Sequence, residues 1–289
     1  MKKLRAMMIG AHPDDCDLRC GGLTLKYSDA GAEVMFLSLC DGSGGHQSMA
    51  PADVKARRYG ETQAVARYAG IQYKIWDVPD CEIVPDLELR KRLIRDIREF
   101  QPDIIFCHRP NDYHADHRAA SQLVQDASYL LIVPNCCPEV PALKEMPVIV
   151  YFYDNFKNPP FEPDVIVRTD DVIERKFKLL SNHVSQLFEW LPFTNGTLDE
   201  VPEDEAGRME FLHGPRLPRD HMPSVEEVQA LRHGSSCEAR EGIQAAMYRD
   251  LLVKRYGEIG KTTYFAESFQ ICEYGTRPDA AKLAELFPF

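Results

Sequence analysis

A chain of 289 residues with 44% hydrophobic and 27% charged residues is long enough to bury a substantial core and has the composition of an ordinary globular protein. Its formal net charge of -11 argues against nucleic acid or an anionic membrane surface as the main partner, because both need a basic face. A neutral or small polar substrate fits that balance better.

Met1-Lys2-Lys3 leads into a short apolar run broken by Gly10 and His12, too short for a signal peptide or a membrane span, so a cytoplasmic location is expected. The nine cysteines include no CxxC pair, and Cys40, Cys107 and Cys272 lie in apolar runs where a reduced thiol packs as a small hydrophobe. Structural disulfides are not expected. Cys16 and Cys20, beside the first candidate site, are kept apart from that core reading.

The first element is the apolar stretch from Met7 to Gly10, read as a strand that runs into His12, Pro13, Asp14 and Asp15. In an open parallel sheet, ligands sit outside the carboxyl ends of the strands, which is where these side chains fall. A helix follows with Leu18, Gly22 and Leu25 at helical spacing and Gly31 as its stop, and Glu33 to Cys40 resumes as a buried strand. The glycines between Asp41 and Gln47 can bring backbone N–H groups near a ligand, although the spacing is not that of a complete dinucleotide-binding loop. A plain turn accounts for them equally well.

Val54 to Tyr68 reads as an amphipathic helix closed by Gly70, and Tyr73 to Val78 as the third strand, with Asp80 beyond its end. Leu87 to Phe100 is a helix with Leu93, Ile97 and Phe100 on one face, and Ile104 to Cys107 is the fourth strand, ending in the cluster His108 to His117. Strands alternating with helices imply an α/β fold of the Rossmann-like, doubly wound kind, a mostly parallel sheet with helices on both faces. The commonest order places the first and fourth strands side by side, which brings His12 and Asp15 next to the loop of His114 and His117.

Arg118 to Leu131 continues as a helix, Pro134, Pro138, Pro141 and Pro147 mark a long connection, and Val148 to Tyr153 and Asp164 to Arg168 are the fifth and sixth strands. Asp171, with Glu174 three residues on, reads as the capping box of a helix whose stripe is Ile173, Phe177, Leu180, Val184 and Leu187. His183 beside that stripe reads as a hydrogen-bonded core histidine rather than a ligand. Residues 191–236 show little periodicity and read as an irregular lid or insertion. A last helix from about Glu238 to Tyr256 and a strand within Thr263 to Ile271 complete one domain over 1–289, with its core at about 1–190.

Taken alone, Asp14 or Asp15 ahead of a helix reads as a cap. Two strand ends that both carry His and Asp shift the reading to a metal centre. A catalytic zinc takes about three protein ligands and a water, and His12, Asp15 and His117 supply that set. Asp14 then serves as general base, His114 as acid or oxyanion stabiliser, and Asp116 as the group that orients a histidine. Fe2+, Co2+, Mn2+ and Ni2+ suit the same ligands as Zn2+.

AHPDD after the first strand and HxDH after the fourth resemble the PIG-L/LmbE family of zinc-dependent N-deacetylases, which act on N-acetylglucosamine-containing glycans and glycoconjugates. Arg58-Tyr-Gly-Glu61 resembles the family's RxxE helix, and the segment from Asn182 to Gln186 resembles its HxSQ segment. The resemblance implies metal binding by His12, Asp15 and His117, with Asp14 as base and His114 as acid or oxyanion stabiliser. It alone implies that Arg58 and Asp80 contact sugar hydroxyls. The chain departs from the family at Cys16, where AHPDD is usually followed by Glu, and no family motif covers 191–236.

Besides a degenerate family member that binds metal and glycan but turns over nothing, motivated by Cys16 alone, two further readings stay open at this point. One is a metal-dependent amidase of a thiol conjugate or an acylated natural product, which shares every site residue. The other is a non-catalytic nucleotide- or sugar-binding module on the same fold, with the aspartates as caps and the glycines as a phosphate cradle. The partner expected under the first reading is a small glycan or glycoconjugate, without nucleic acid or a transmembrane segment and with a homo-oligomer left open.

Overall fold

Arg5–Gly10 forms strand β1, and its alternate residues feed opposite layers: Ala6 and Met8 pack with Leu23 and Phe36, Met7 and Ile9 with Leu37 and Leu93. A strand covered on both faces is what a near-continuous apolar run requires. The structure, a computed structural model, describes residues 3–234 and 236–289, so the Met1-Lys2 start of the N-terminal reading lies outside the described residues. Among the described residues, no helix is long and apolar enough to cross a membrane.

The chain continues through α1 (Asp15–Asp29), β2 (Glu33–Ser38), α2 (Pro51–Ala69), β3 (Gln72–Ile75), α3 (Leu87–Phe100), β4 (Ile104–Cys107) and α4 (Ala115–Ser128). After the proline-rich connection come β5 (Val148–Phe152), β6 (Val165–Arg168) and α5 (Ile173–Leu180), and near the C-terminus β7 (Ala266–Ile271). The sheet order is β3-β2-β1-β4-β5-β7-β6. The first five strands in that order pair in parallel, whereas β7 is antiparallel to β5 and to β6. Ile9 of β1 lies opposite Cys107 of β4, so the expected adjacency holds and the two His/Asp clusters leave the same end of the sheet.

Three local expectations differ from the structure. The capping box at Asp171 and Glu174 does not form: α5 begins after Val172 without a side-chain cap, because Asp171 accepts from Lys26 (2.6 Å) and Glu174 lies 3.3 Å from His213. Residues 191–236 contain α6 (Leu191–Asn195), α7 (Glu205–His213) and α8 (Val225–Ala230), with Asp204 capping α7 and a Ser224/Glu227 capping box on α8. Their turns are too few to show a period, yet Leu212, Leu217 and Val228 are buried in the core. The single last helix is broken at Tyr248 (φ -115°, ψ 34°) into α9 (Glu238–Met247) and α10 (Arg249–Tyr256).

A buried charge cluster ties α1 to the C-terminal part. At Cys20 the backbone leaves helical geometry (φ -145°, ψ 23°), and just beyond that kink the Gly22 and Leu23 N–H groups donate to the Glu267 carboxylate at 2.8 and 2.7 Å. Lys176 of α5, fully buried, pairs with Glu267 at 2.8 Å and with Glu241 of α9. Burial opposes its charge, but the two carboxylates outweigh that and raise its pKa. Lys176→Met would strand two carboxylates in the interior, so a loss of about 3–5 kcal/mol is expected. Urea denaturation followed by circular dichroism measures it.

Candidate metal and catalytic site

Beyond β1 the chain turns so that the Asp14 and Asp15 N–H groups both donate to the His12 carbonyl, at 2.9 and 3.2 Å. Asp15 closes the turn by accepting from the His12 N–H at 2.8 Å. Beyond β4, the loop that starts at His108 leads into α4, which carries His117 on its first turn. His12 Nδ1 and His117 Nε2 face each other at 3.1 Å, with the Asp15 carboxylate 3.4 Å from the first and 3.3 Å from the second.

The outer nitrogens of both rings are engaged. His117 Nδ1 pairs with Asp112 Oδ1 at 3.0 Å, and His12 Nε2 lies 3.2 Å from Asp80 Oδ1 and 3.4 Å from Asp116 Oδ2. Carboxylates on those nitrogens select the tautomers whose other nitrogens turn lone pairs toward one point. Two lone pairs and a carboxylate at this separation repel unless a cation lies among them, and two imidazoles with one carboxylate form a donor set of catalytic zinc sites. The residues therefore fit a divalent metal.

The electrostatics agree. Burial disfavours charge on both imidazoles, yet the surrounding carboxylates outweigh it, pushing His117 up to about 9 and His12 well above its ordinary value. His108 stacks on His117, with ring centroids 4.0 Å apart, and its Nε2 lies 3.1 Å from Asp15. Burial and the neighbouring charge of His117 bring His108 down to about 4, so it stays neutral.

Asp14 does not cap α1. Its Oδ1 lies 3.0 Å from Arg58 Nη2, and Arg58, only 2% exposed, also donates to the Gly42 carbonyl at 3.0 Å. A Cβ on Gly42, whose φ is +66°, would run into that guanidinium, so this glycine makes room for Arg58. Asp80 accepts from the Gly44 N–H at 3.1 Å. Burial opposes its ionisation, but the His12 contact holds it down at about 2. Arg58 and Asp80 both line the cavity above the site.

His114 caps α4: its Nδ1 accepts from the Asp116 N–H at 3.1 Å, which leaves the ring proton on Nε2. Its ring stands edge-on to His12, with centroids 4.5 Å apart. Asp116 is buried and accepts from the Cys81 and Ile83 N–H groups at 2.8 and 3.2 Å, a position that holds it against His12 and off the cavity wall.

The motif residues farther along brace this arrangement. Glu61 accepts from both the N–H and the hydroxyl of Ser185, at 2.8 and 2.6 Å, and Gln186 donates to the Gly45 carbonyl at 3.0 Å, so α2 and the 183–186 turn lock the glycine loop. His183 is fully buried, faces Asp17 at 3.0 Å and takes no part in the metal cluster. Cys16 and Cys20 belong to the hydrophobic core after all: both are buried, Cys20 donates to the Cys16 carbonyl, and burial pushes both thiols well up. None of the nine cysteines forms a disulfide.

A cavity of about 790 Å³ opens above the site, walled by Tyr153, Phe161, Trp190 and Tyr248 and by Arg19 and Arg240. Sequence reasoning did not single these out, because they come from segments distant in the chain and share no pattern. It also passed over Asp112, whose signal was its place five residues before His117 in a cluster already noted for its histidines.

The family model described as GlcNAc-PI de-N-acetylase matches residues 7–128. Over 203 residues the chain is 30% identical to the diacetylchitobiose deacetylase of Thermococcus kodakarensis, covering 65% of this chain and 74% of that protein. The chain belongs to the PIG-L family. Two solved structures share the PIG-L fold of this chain at lower identity. The N,N'-diacetylchitobiose deacetylase of Pyrococcus horikoshii, complexed with an inhibitor, superposes with a TM-score of 0.62 at 23% identity, covering 93% of this chain and 84% of that one. The 4-carboxy-2-hydroxymuconate hydratase of Pseudomonas putida superposes with 0.66 at 18% identity, covering 96% and 99%. The fold thus occurs with more than one chemistry, and the site has to decide.

Proposed function

We propose that this protein is a metal-dependent N-deacetylase that hydrolyses the acetamide of an N-acetylglucosamine-type glycan or glycoconjugate. The observation that carries the reading is the convergence of His12 Nδ1, His117 Nε2 and Asp15 at one point of the cavity floor, with Asp14 and His114 facing the same cavity. A divalent ion bound there, zinc or one of Fe2+, Co2+, Mn2+ and Ni2+, supplies an acidified water and positive charge for the amide oxygen.

Asp14, held by Arg58, accepts the proton of the attacking water as its oxygen bonds to the acetyl carbon. His114 donates from Nε2 to the carbonyl oxygen as charge grows on it. Its Nδ1 accepts from the Asp116 N–H, so protonating that nitrogen would break the α4 cap, which favours oxyanion stabilisation over proton donation. The proton on Asp14 then passes to the departing nitrogen as the C–N bond breaks, leaving acetate and a free amine. Asp112, Asp80 and Asp116 keep the two imidazoles oriented, and Arg58 and Asp80 also offer cavity-facing edges to sugar hydroxyls.

Metal content by mass spectrometry and acetate release from N-acetylglucosamine and its simple glycosides, in one preparation, test this reading. Bound divalent metal together with acetate release is the expected result. Metal-loaded protein that releases no acetate from any N-acetyl glycoside but hydrates an unsaturated dicarboxylic acid would overturn it.

A further inference from the structure

The cavity is larger than one reacting sugar needs. At about 790 Å³ it lies toward the upper end of the roughly 300–1,000 Å³ of small-molecule sites, and the metal-binding and catalytic side chains occupy only its floor. The charges on its walls can be matched pair by pair. Arg58 is answered by Asp14 at 3.0 Å, Asp154 by Arg109 at 2.7 Å, Glu241 by Lys176 with Arg240 at 3.2 Å, and Asp15 and Asp80 by His117 and His12 at 3.3 and 3.2 Å. Arg19, Lys157 and Arg232 remain: all three line the cavity, and none forms an ion pair among the described residues.

Their placement is specific. Arg19 lies one helical turn beyond Asp15, half-buried, and donates from Nη1 to the Tyr153 carbonyl at 2.9 Å. Arg232 follows α8 and lines the same cavity. Burial pushes the Tyr153 phenol up; the charge of Arg19 pulls against that push, the Asp154 carboxylate adds to it, and Arg232 acts in the same sense as Arg19. Tyr153 packs edge-on against Phe161 and Tyr248, with centroids 5.3 and 6.3 Å away, which sets Arg19 beside apolar surface where its field is less screened. In a chain whose net charge is -11, three cations without an ion-pair partner line this one cleft.

We infer that the upper part of the cavity is an anion subsite, in which Arg19, Arg232 and Lys157 hold a carboxylate or phosphate carried by the substrate beyond its N-acetylated sugar. The substrate is then an acidic glycoconjugate, a refinement that rests on the deacetylase reading for the chemistry at the floor. The overall acidity of the chain pointed to a neutral or small polar substrate; the unpaired cations within the cleft narrow that to a polar one carrying negative charge.

The test compares the methyl, carboxymethyl and 2-phosphoethyl β-glycosides of N-acetylglucosamine with the full-length, metal-loaded protein. Two readouts are taken: kcat/KM for acetate release, and Kd of the matching glucosamine glycosides by calorimetry. An advantage of about tenfold for an anionic over the neutral glycoside is expected in both, as for a charged hydrogen-bonded contact, and it shrinks as salt is raised. The larger of the carboxylate and phosphate gains identifies the group.

In the Arg19→Gln/Arg232→Gln variant the ratio falls toward one, and Arg19→Lys retains part of it, which a merely structural role would not predict. Arg232→Gln alone, at an exposed position, serves if the double variant melts early. Equal values for neutral and anionic glycosides in both readouts overturn the subsite. Tighter binding of the anionic glycosides without any acetate release overturns the deacetylase reading and leaves the subsite standing.

Discussion

Asp14→Asn is expected to lower kcat by roughly 10²–10⁴-fold, the usual worth of a positioned general base, while bound metal stays near the wild-type level. Two separate facts produce that split. Asp14 is not part of the cluster formed by His12, Asp15 and His117, so the ligand set survives the change. Its carboxylate instead lies 3.0 Å from Arg58 Nη2, where an amide oxygen still faces the guanidinium but takes no proton from water. Arg58 is buried and loses its nearest counter-charge, so a lower melting temperature is expected as well, softened by the Asp80 charge that also supports it. Steady-state acetate release and metal analysis on the same sample check the prediction. Wild-type turnover would exclude Asp14 as the base, and loss of metal would make it a ligand.

The legible part of this molecule was the part written in consecutive residues. Strand β1 ends in AHPDD and β4 in a second His/Asp cluster, so the sheet end that carries the site followed from two local patterns and one topological rule. Helix α3 spans Leu87 to Phe100 because its apolar face repeats cleanly and Asp86 caps it through the Leu89 N–H. What escaped reading depends on pairings between distant segments. Asp171 had the spacing of a cap and was drawn to Lys26 instead. Cys16 looked like a departure beside the candidate metal site, but Met8 and Leu23 belong to the same apolar cluster that encloses it. Arg58 reads as a solvated helix residue until the fold brings Asp14 and the Gly42 carbonyl to it. The cavity walls are the extreme case, since Arg19, Tyr153, Trp190 and Tyr248 meet only in three dimensions.

Removing the metal is expected to abolish acetate release and to lower the melting temperature, and His117→Ala should do both without a chelator. A ligand bound at 100 to 1,000 times its Kd stabilises a protein by about 2.7–4.1 kcal/mol, which for a chain of this size corresponds to very roughly 5–15 °C. The metal-free wild type should nevertheless stay folded near neutral pH, because the imidazoles then hold protons against the same carboxylates. His117 is raised from 6.5 to about 9, so its contribution is complete below about pH 6.5 and is lost as the pH rises through about 9. Chelated protein should therefore melt progressively lower across that window, while metal-loaded protein gains over it, since binding displaces the proton. In His117→Ala the chelator should change nothing, and the melting temperature should lie below that of chelated wild type, because Asp15 and Asp112 lose their shared partner. Differential scanning calorimetry with and without chelator at pH 6, 7.5 and 9 measures all of this, and a chelator-insensitive wild type would exclude a metal at this cluster.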